Sequence, residues 1–156
     1  MRRLALALVT ILAVGAIAGG IALAAGGGGS SAHAAKTGTV SLRKAGKLGR
    51  IVVDSKGRTL YLFEKDKTTK STCYGQCATA WPPALVKGKP TAGTGIIGSK
   101  LGTTTRRDGT RQITYGGHPM YRFIQDANKP GSTKGQDVKA FGASWYVVGR
   151  NGQKVE

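Results

Sequence analysis

The chain has 156 residues, about the length of one domain, and its charge is strongly unbalanced. It contains 24 lysines and arginines against 7 acidic residues, a net charge of +17, together with 25 glycines and only 6% aromatic residues. This length excludes a large multidomain enzyme, and the glycines lack the three-residue period of collagen. Wholesale disorder is disfavoured, because strand-like hydrophobic runs bounded by turn residues occur from Ile51 onward.

The N-terminus has the pattern of an export signal. A positively charged start, Met1-Arg2-Arg3, precedes an apolar run that ends at Ala25. We therefore assign residues 1–25 to a signal peptide, with small-residue cleavage sites after Ala24 or Ala34. The alternative is an uncleaved anchor, since a run of this length could cross about 30 Å of hydrocarbon. In both cases the folded part is exported, and it is either secreted or held at the cell envelope.

The next segment and the overall charge indicate a tether and a preference for anionic partners. Residues 26–47 are expected to form a flexible tether, because they begin with four glycines and stay polar. Beyond Arg2 and Arg3 the chain retains 22 basic residues against 7 acidic ones, a net charge of +15. The expected partners are an anionic cell-wall polymer or an anionic membrane surface, bound weakly and electrostatically. No nucleic acid is expected as a partner in this compartment. The alternative to anionic partners is that the positive charge serves only solubility. The sequence leaves the oligomeric state open.

The rest of the chain contains an internal repeat. Residues 57–66 and 117–126 match one another at an offset of 60. The matching pairs are Gly57 and Gly117, Tyr61 and Tyr121, Phe63 and Phe123, Asp66 and Asp126, and, after a four-residue length difference, Trp81 and Trp145. Two copies are too few for an open solenoid, so they predict two pseudo-symmetric repeats that form one compact domain. We expect this domain over residues 48–150, with repeats at about 50–85 and 110–148 and a C-terminal tail at 151–156.

Strand patterns dominate both repeats and predict an all-β fold, mainly antiparallel, with small helical turns. The expected strands are residues 50–53, 59–63, 102–105, 112–115, 120–124 and 145–148. Asp108-Gly109 and Gly116-Gly117 are expected turns between strands, because glycine tolerates positive φ. A short helix is expected from Gly75 to Ala80, stopped by Pro82-Pro83.

The repeated aromatic residues are expected to serve the core. Alternate residues of a strand face the same side, so Tyr61 and Phe63 share one face, as do their counterparts in the second repeat. The alternative is an exposed aromatic platform for sugars or flat ligands. Asp66 and Asp126 come at the strand ends, where carboxylates typically accept backbone N–H bonds in turns. We therefore interpret them as turn residues and not as catalytic acids.

These residues carry a resemblance to a known family. Tyr61-Leu-Phe63-Glu-Lys-Asp66 and Tyr121-Arg-Phe123-Ile-Gln-Asp126 both fit the pattern Y-x-[FWY]-x-x-D. With Cys73, Cys77 and Trp81-Pro-Pro83, the chain resembles the bacterial secreted-repeat family named for that motif, whose members are often described as lipoproteins. The resemblance covers about residues 49–149 and implies a secreted or envelope repeat of unknown function, without assigned catalytic residues. The chain lacks the lipobox cysteine of the lipoprotein members, so a lipid anchor does not follow.

The two cysteines, Cys73 and Cys77, are spaced C-x-x-x-C. An even pair in an exported protein favours a disulfide. Such a bond closes a short ring worth about 2 kcal/mol, so its effect would be local, on the Gly75 loop beside Trp81. The second repeat has Thr133 and Asp137 at the corresponding positions and must hold its loop by other means.

The alternative function is an extracytoplasmic redox or copper-handling protein. Cys73, Cys77, His118 and Met120 would supply the thiolate, imidazole and thioether ligands that suit Cu(I). Against it, the cysteines belong to a different segment and their spacing is not the thioredoxin-like C-x-x-C. No nucleophile elbow or other catalytic constellation is present, so we expect neither an enzyme nor a cofactor. The sequence therefore predicts a non-catalytic, exported β-repeat module that associates with the cell envelope through its basic surface.

Overall fold

A computed structural model of the protein describes residues 38–156. The predicted signal peptide or anchor and the first part of the predicted tether lie outside the described residues. Within residues 38–156 the chain forms short strands in three small sheets, with one short α-helix. The predicted all-β class with small helical turns is confirmed.

The strands are named in chain order. They are β1 (Thr39–Lys44), β2 (Arg50–Asp54), β3 (Tyr61–Phe63), β4 (Thr91–Ala92), β5 (Leu101–Thr105), β6 (Arg111–Tyr115), β7 (His118–Pro119), β8 (Val138–Ala140) and β9 (Ala143–Val147). The helix α1 (Gln76–Ala80) lies between β3 and β4 and ends before Pro82-Pro83, as the sequence predicted. Single 3₁₀ turns occupy Gly46–Leu48, Gly98–Lys100 and Ile124–Asp126.

The three sheets each contain three strands. In the first, of order β2-β1-β4, β1 is antiparallel to β2 and parallel to β4. The second has the order β3-β9-β8 and the third the order β5-β6-β7, and both are antiparallel. The β1–β2 hairpin corresponds to the β5–β6 hairpin at roughly the offset of the repeat, so each repeat begins with a hairpin of this kind.

The two repeats meet at their tyrosines. The backbone N–H of Tyr61 donates to the carbonyl of Tyr121 at 2.8 Å, and the N–H of Tyr121 donates back at 2.9 Å. Beyond this point β3 pairs with β9, which belongs to the second repeat. In the other half Tyr121 pairs with Pro83, but prolines cannot donate ladder bonds, so this segment stays irregular. Two pseudo-symmetric repeats thus form one domain, as predicted.

Three sequence-based boundaries need correction. The range expected to be a tether, 26–47, contains β1, so the folded part begins at or before Thr39. The expected tail, 151–156, is packed, because Gln136 Nε2 donates to the Val155 carbonyl at 2.7 Å and Val155 N–H donates to Val147 at 3.0 Å. The strand expected over 120–124 is replaced by the short β7, an isolated bridge and a 3₁₀ turn.

Buried apolar residues form two clusters. The aromatic cluster contains Ile51, Val53, Tyr61, Phe63, Cys73, Cys77, Trp81, Tyr121, Phe123, Trp145 and Val147. The aliphatic cluster contains Val40, Val52, Leu60, Leu62, Ala84, Val86, Ile113, Tyr115, Met120 and Val148. Strand alternation explains the division, since Tyr61 and Phe63 enter the aromatic cluster while Leu60 and Leu62 enter the aliphatic one.

Candidate functional site

The spacing shared by the two motif copies is accompanied by a reciprocal pair of hydrogen bonds. The Tyr61 hydroxyl donates to Asp126 Oδ2 at 2.7 Å, and the Tyr121 hydroxyl donates to Asp66 Oδ2 at 2.5 Å. Each repeat therefore supplies the tyrosine for the aspartate of the other repeat. This crossed arrangement, here called the Tyr–Asp clasp, makes the two motif copies depend on each other.

The second oxygen of each aspartate closes the loop that follows its own motif. Asp66 Oδ1 accepts bonds from the Thr72 N–H at 2.7 Å and the Thr72 hydroxyl at 2.6 Å. Asp126 Oδ1 accepts bonds from the Lys134 N–H at 3.0 Å and the Ser132 hydroxyl at 2.7 Å. Both carboxylates thus hold turns through backbone N–H groups, in agreement with the role expected from the sequence.

A stack of four aromatic rings crosses the same centre. Trp81 and Trp145 lie parallel with ring centroids 3.9 Å apart. Phe63 stacks on Trp145 and Phe123 stacks on Trp81, each at 4.0 Å, so each phenylalanine covers the tryptophan of the other repeat. Tyr61 and Tyr121 meet Trp81 and Trp145 edge-on at 5.4 and 5.2 Å. Offset and edge-to-face contacts of this kind add to the stabilisation that burial alone gives.

The motif residues are not available to a ligand. Tyr61 and Tyr121 are 0% exposed, and Phe63 and Phe123 are 1% and 8% exposed. Burial, together with the neighbouring carboxylates, raises the pKa of both tyrosines far above the usual value, so the phenols stay protonated as donors. The alternative of an exposed aromatic platform is therefore wrong.

The predicted disulfide between Cys73 and Cys77 is confirmed. The chain turns back at Gly75, where φ is 56°, and helix α1 begins directly after it. The Cα atoms of the two cysteines lie 5.2 Å apart, and Cys73 is fully buried in the aromatic cluster. The bond pins the loop between Asp66 and Trp81 against the core.

A buried arginine, which the sequence did not reveal, links the disulfide loop to the second repeat. Arg106 is 5% exposed and donates to the Cys73 carbonyl and the Ser71 hydroxyl, both at 2.9 Å, and to Gln112 Oε1 at 2.7 Å. Ser71 in turn lies 2.7 Å from the Tyr121 hydroxyl, so this network reaches the clasp. Its position two residues before the Asp108-Gly109 turn gave no signal of burial.

The four residues of the copper or redox alternative are not brought together. Cys73 and Cys77 are buried and bonded to each other, whereas Met120 is fully buried in the aliphatic cluster. Of the described residues, no three histidine, cysteine or acidic side chains converge as a metal ion would require. In the disulfide-bonded protein these four residues therefore do not form one site within residues 38–156.

His118 instead lines a polar cleft of about 230 Å³. Glu64, Asp66, Lys67 and Lys154 are among its other lining residues. Burial lowers the pKa of His118, and the charge of Asp66 opposes that shift. Lys154 binds Glu64 at 3.0 Å and also pairs with Glu156, so the charges around this cleft largely satisfy one another.

A second cleft, called the basic cleft here, is lined by residues 43–48 together with Pro130, Gly131 and Thr133, and has a volume of about 490 Å³. Its charged lining residues are Arg43, Lys44 and Lys47. The sequence does not reveal this cleft, because residues 43–47 have the composition of a tether and the facing loop is more than 80 positions away.

Comparison with known proteins gives one family. The profile of a family described as a secreted repeat of unknown function matches residues 43–85 and 102–149, more than half of the chain. Neither a search of curated proteins nor a search of solved structures found a significant match. No helix within residues 38–156 is long and apolar enough to cross a membrane. The two matched ranges are the two halves joined by the Tyr–Asp clasp, and the chain belongs to this family of extracytoplasmic secreted repeats.

Proposed function

We propose that the protein is a non-catalytic module that attaches to anionic polymers of the cell envelope through its basic surface. The observation that carries this proposal is the unequal use of charge in the fold. Residues 38–156 contain 21 lysines and arginines against 7 aspartates and glutamates. Most carboxylates are engaged within the protein, in hydrogen bonds of the interior and of turns, whereas most basic groups face solvent.

The acidic residues are largely occupied. Asp66 and Asp126 are buried in the clasp, and Asp54 binds the guanidinium of Arg58 at 2.6 Å. Glu64 and Glu156 both pair with Lys154. Carboxylates that already have partners inside the protein do little to neutralise the surrounding surface.

The basic residues are mostly without such partners. In the part of the chain that the structure describes, only Arg58, Arg106 and Lys154 form ion pairs with carboxylates, which leaves 18 that do not. A field of one sign attracts polyanions and is screened within about 10 Å at 0.1 M salt. The expected binding is therefore weak, reversible and strongly dependent on salt.

The absence of catalysis belongs to the same proposal. It is supported by the structural use of Asp66 and Asp126, whose four carboxylate oxygens all accept hydrogen bonds. His118 is the one histidine of residues 38–156, and a carboxylate in its cleft, Glu64, is bound to Lys154. General acid–base chemistry would need carboxyl groups free to exchange protons with a substrate.

Binding to a linear polyanion tests the proposal directly. Long-chain polyphosphate serves as the probe, with uncharged dextran as the control, and calorimetry or fluorescence polarisation is recorded at low and at high salt. We expect binding to polyphosphate alone, with an affinity that falls steeply as salt rises. No binding at low salt, or an affinity that does not change with salt, would contradict the proposed function.

A further inference from the structure

The basic cleft lies where the two halves of the domain face each other. One wall is the turn of the β1–β2 hairpin, residues 43–48, and the other is the loop that contains Pro130, Gly131 and Thr133. Ala45 and Leu48 pack on the aromatic cluster, so the hairpin turn is fixed to the core. The opposite loop is fixed as well, because the Gly131 N–H donates to the Gly57 carbonyl at 2.9 Å.

The cleft presents positive charge with no compensating carboxylate. Arg43, Lys44 and Lys47 line it, and no acidic residue does. None of these three side chains forms an ion pair or hydrogen bond with another residue in the range 38–156. The polar cleft around His118 is the contrast, since Glu64 and Asp66 line it beside its lysines.

The side chain of Arg43 passes close to two glycines. A Cβ atom at Gly131 would lie 2.9 Å from Arg43 Nε, and one at Gly57 would lie 3.4 Å from Nη1. The side chain thus lies along the backbone at the junction of the two loops, so close to Gly131 that a Cβ there would displace it. With no partner in the range 38–156, this guanidinium has N–H groups available to bind an oxyanion in a bidentate manner.

We infer that the basic cleft is the principal docking site for the oxyanion groups of a linear envelope polymer, with Arg43 as the bidentate contact. This inference rests on the proposed function and adds to it the place and the geometry of binding. Lys44 and Lys47 add two exposed charges beside the guanidinium, so the site suits successive anionic groups along one chain. Because it is a concave cleft, it favours a thin polymer over the flat surface of a membrane.

A matched pair of triple variants tests this site. R43Q/K44Q/K47Q removes the three charges of the cleft, and K87Q/K89Q/R111Q removes three other exposed charges elsewhere. We expect the affinity for long-chain polyphosphate to fall about tenfold or more in the cleft variant and about threefold or less in the control. The slope of log Kd against log salt should decrease by about 2 in the cleft variant and by less than 1 in the control.

A second pair of variants changes the cleft without changing the charge. Gly131→Ala would place a Cβ against the Arg43 side chain. Gly109→Ala is the control, because φ is 78° there and 72° at Gly131, so both changes strain the backbone similarly. A Cβ at Gly109 meets nothing within 4 Å. With folding checked by circular dichroism, Gly131→Ala should weaken polyphosphate binding by about threefold or more and Gly109→Ala should leave it unchanged.

The outcomes separate the two proposals. If the unaltered protein does not bind polyphosphate, the proposed function is wrong, and the inference that the cleft is a docking site is wrong as well. If it binds and both triple variants lose affinity equally, binding through the basic surface is supported, but the cleft is refuted as the principal site. Comparing the affinities for poly-glutamate and polyphosphate shows whether the cleft prefers carboxylate or phosphate groups. Stronger binding to phosphatidylglycerol vesicles than to either polymer would contradict the inference that the ligand is a polymer.

Discussion

The Tyr–Asp clasp should be worth several kcal/mol of stability, and single-atom variants can measure it. Tyr121→Phe removes a hydroxyl that is fully buried and lies 2.5 Å from Asp66 Oδ2. A buried hydrogen bond to a charged group contributes about 1.5–3 kcal/mol. Within residues 38–156 this carboxylate oxygen has no other donor. We therefore expect Tyr121→Phe and Tyr61→Phe each to lower the free energy of unfolding by about 2 kcal/mol. For a domain of this size that corresponds to a Tm lower by about 6–12 °C.

Tyr146→Phe is the matched control, because the hydroxyl of Tyr146 forms no hydrogen bond within the described residues and its ring is only partly buried. Its effect should stay below about 0.5 kcal/mol. Urea unfolding of the three variants gives the comparison, and adding Asp66→Asn to Tyr121→Phe completes a double-mutant cycle. If Tyr61→Phe and Tyr121→Phe are as stable as Tyr146→Phe, the reasoning about the clasp is refuted.

Three further predictions concern the same core. Because the pKa of Tyr61 and of Tyr121 is raised in the folded state, both tyrosines contribute fully to the free energy of unfolding below about pH 10. Above that pH the contribution of each tyrosine falls by about 1.4 kcal/mol per pH unit. Urea unfolding at about pH 9 and 11 checks this, and an equal decline in the Tyr61→Phe/Tyr121→Phe variant would count against it. Cys73→Ser/Cys77→Ser should fold but lose about 2 kcal/mol, with faster amide exchange between Lys70 and Trp81; unchanged thermal stability would argue against a structural disulfide. Gly135→Ala places a Cβ 2.8 Å from Trp81 and Tyr61 and should cost about 1–3 kcal/mol, whereas Gly88→Ala, with nothing within 4 Å, should cost under about 0.5 kcal/mol. Equal melting temperatures for the two glycine variants would contradict the packing described here.

Local features of the fold could be predicted because they depend on nearby residues. The Asp108-Gly109 turn, the helix before Pro82-Pro83 and the Cys73–Cys77 disulfide each involve residues within a few positions of one another. The alternation of Val40 and Leu42 with polar residues was a usable strand signal too. The glycine run before it and the basic residues after it are typical of a tether and outweigh this short signal.

Features that join distant segments could not be predicted in the same way. The motif repeats Tyr and Asp at equal spacing, but this does not say which tyrosine contacts which aspartate. The partners are 65 and 55 positions apart, and only the pairing of the two tyrosine backbones sets the crossed arrangement. Arg106 is a similar case, because a basic residue beside a turn is usually exposed. Its burial depends on Ser71 and Cys73, which belong to the other repeat.

The central claim is that the motif residues hold the repeats together while the basic surface binds the ligand. The most direct test is the polyphosphate affinity of Tyr61→Phe/Tyr121→Phe, measured at a temperature where this variant is folded, beside that of R43Q/K44Q/K47Q. The claim predicts an unchanged affinity for the tyrosine variant, despite its lower stability, and a loss of about tenfold or more for the cleft variant. A folded tyrosine variant that no longer binds, with a cleft variant that binds normally, would contradict it.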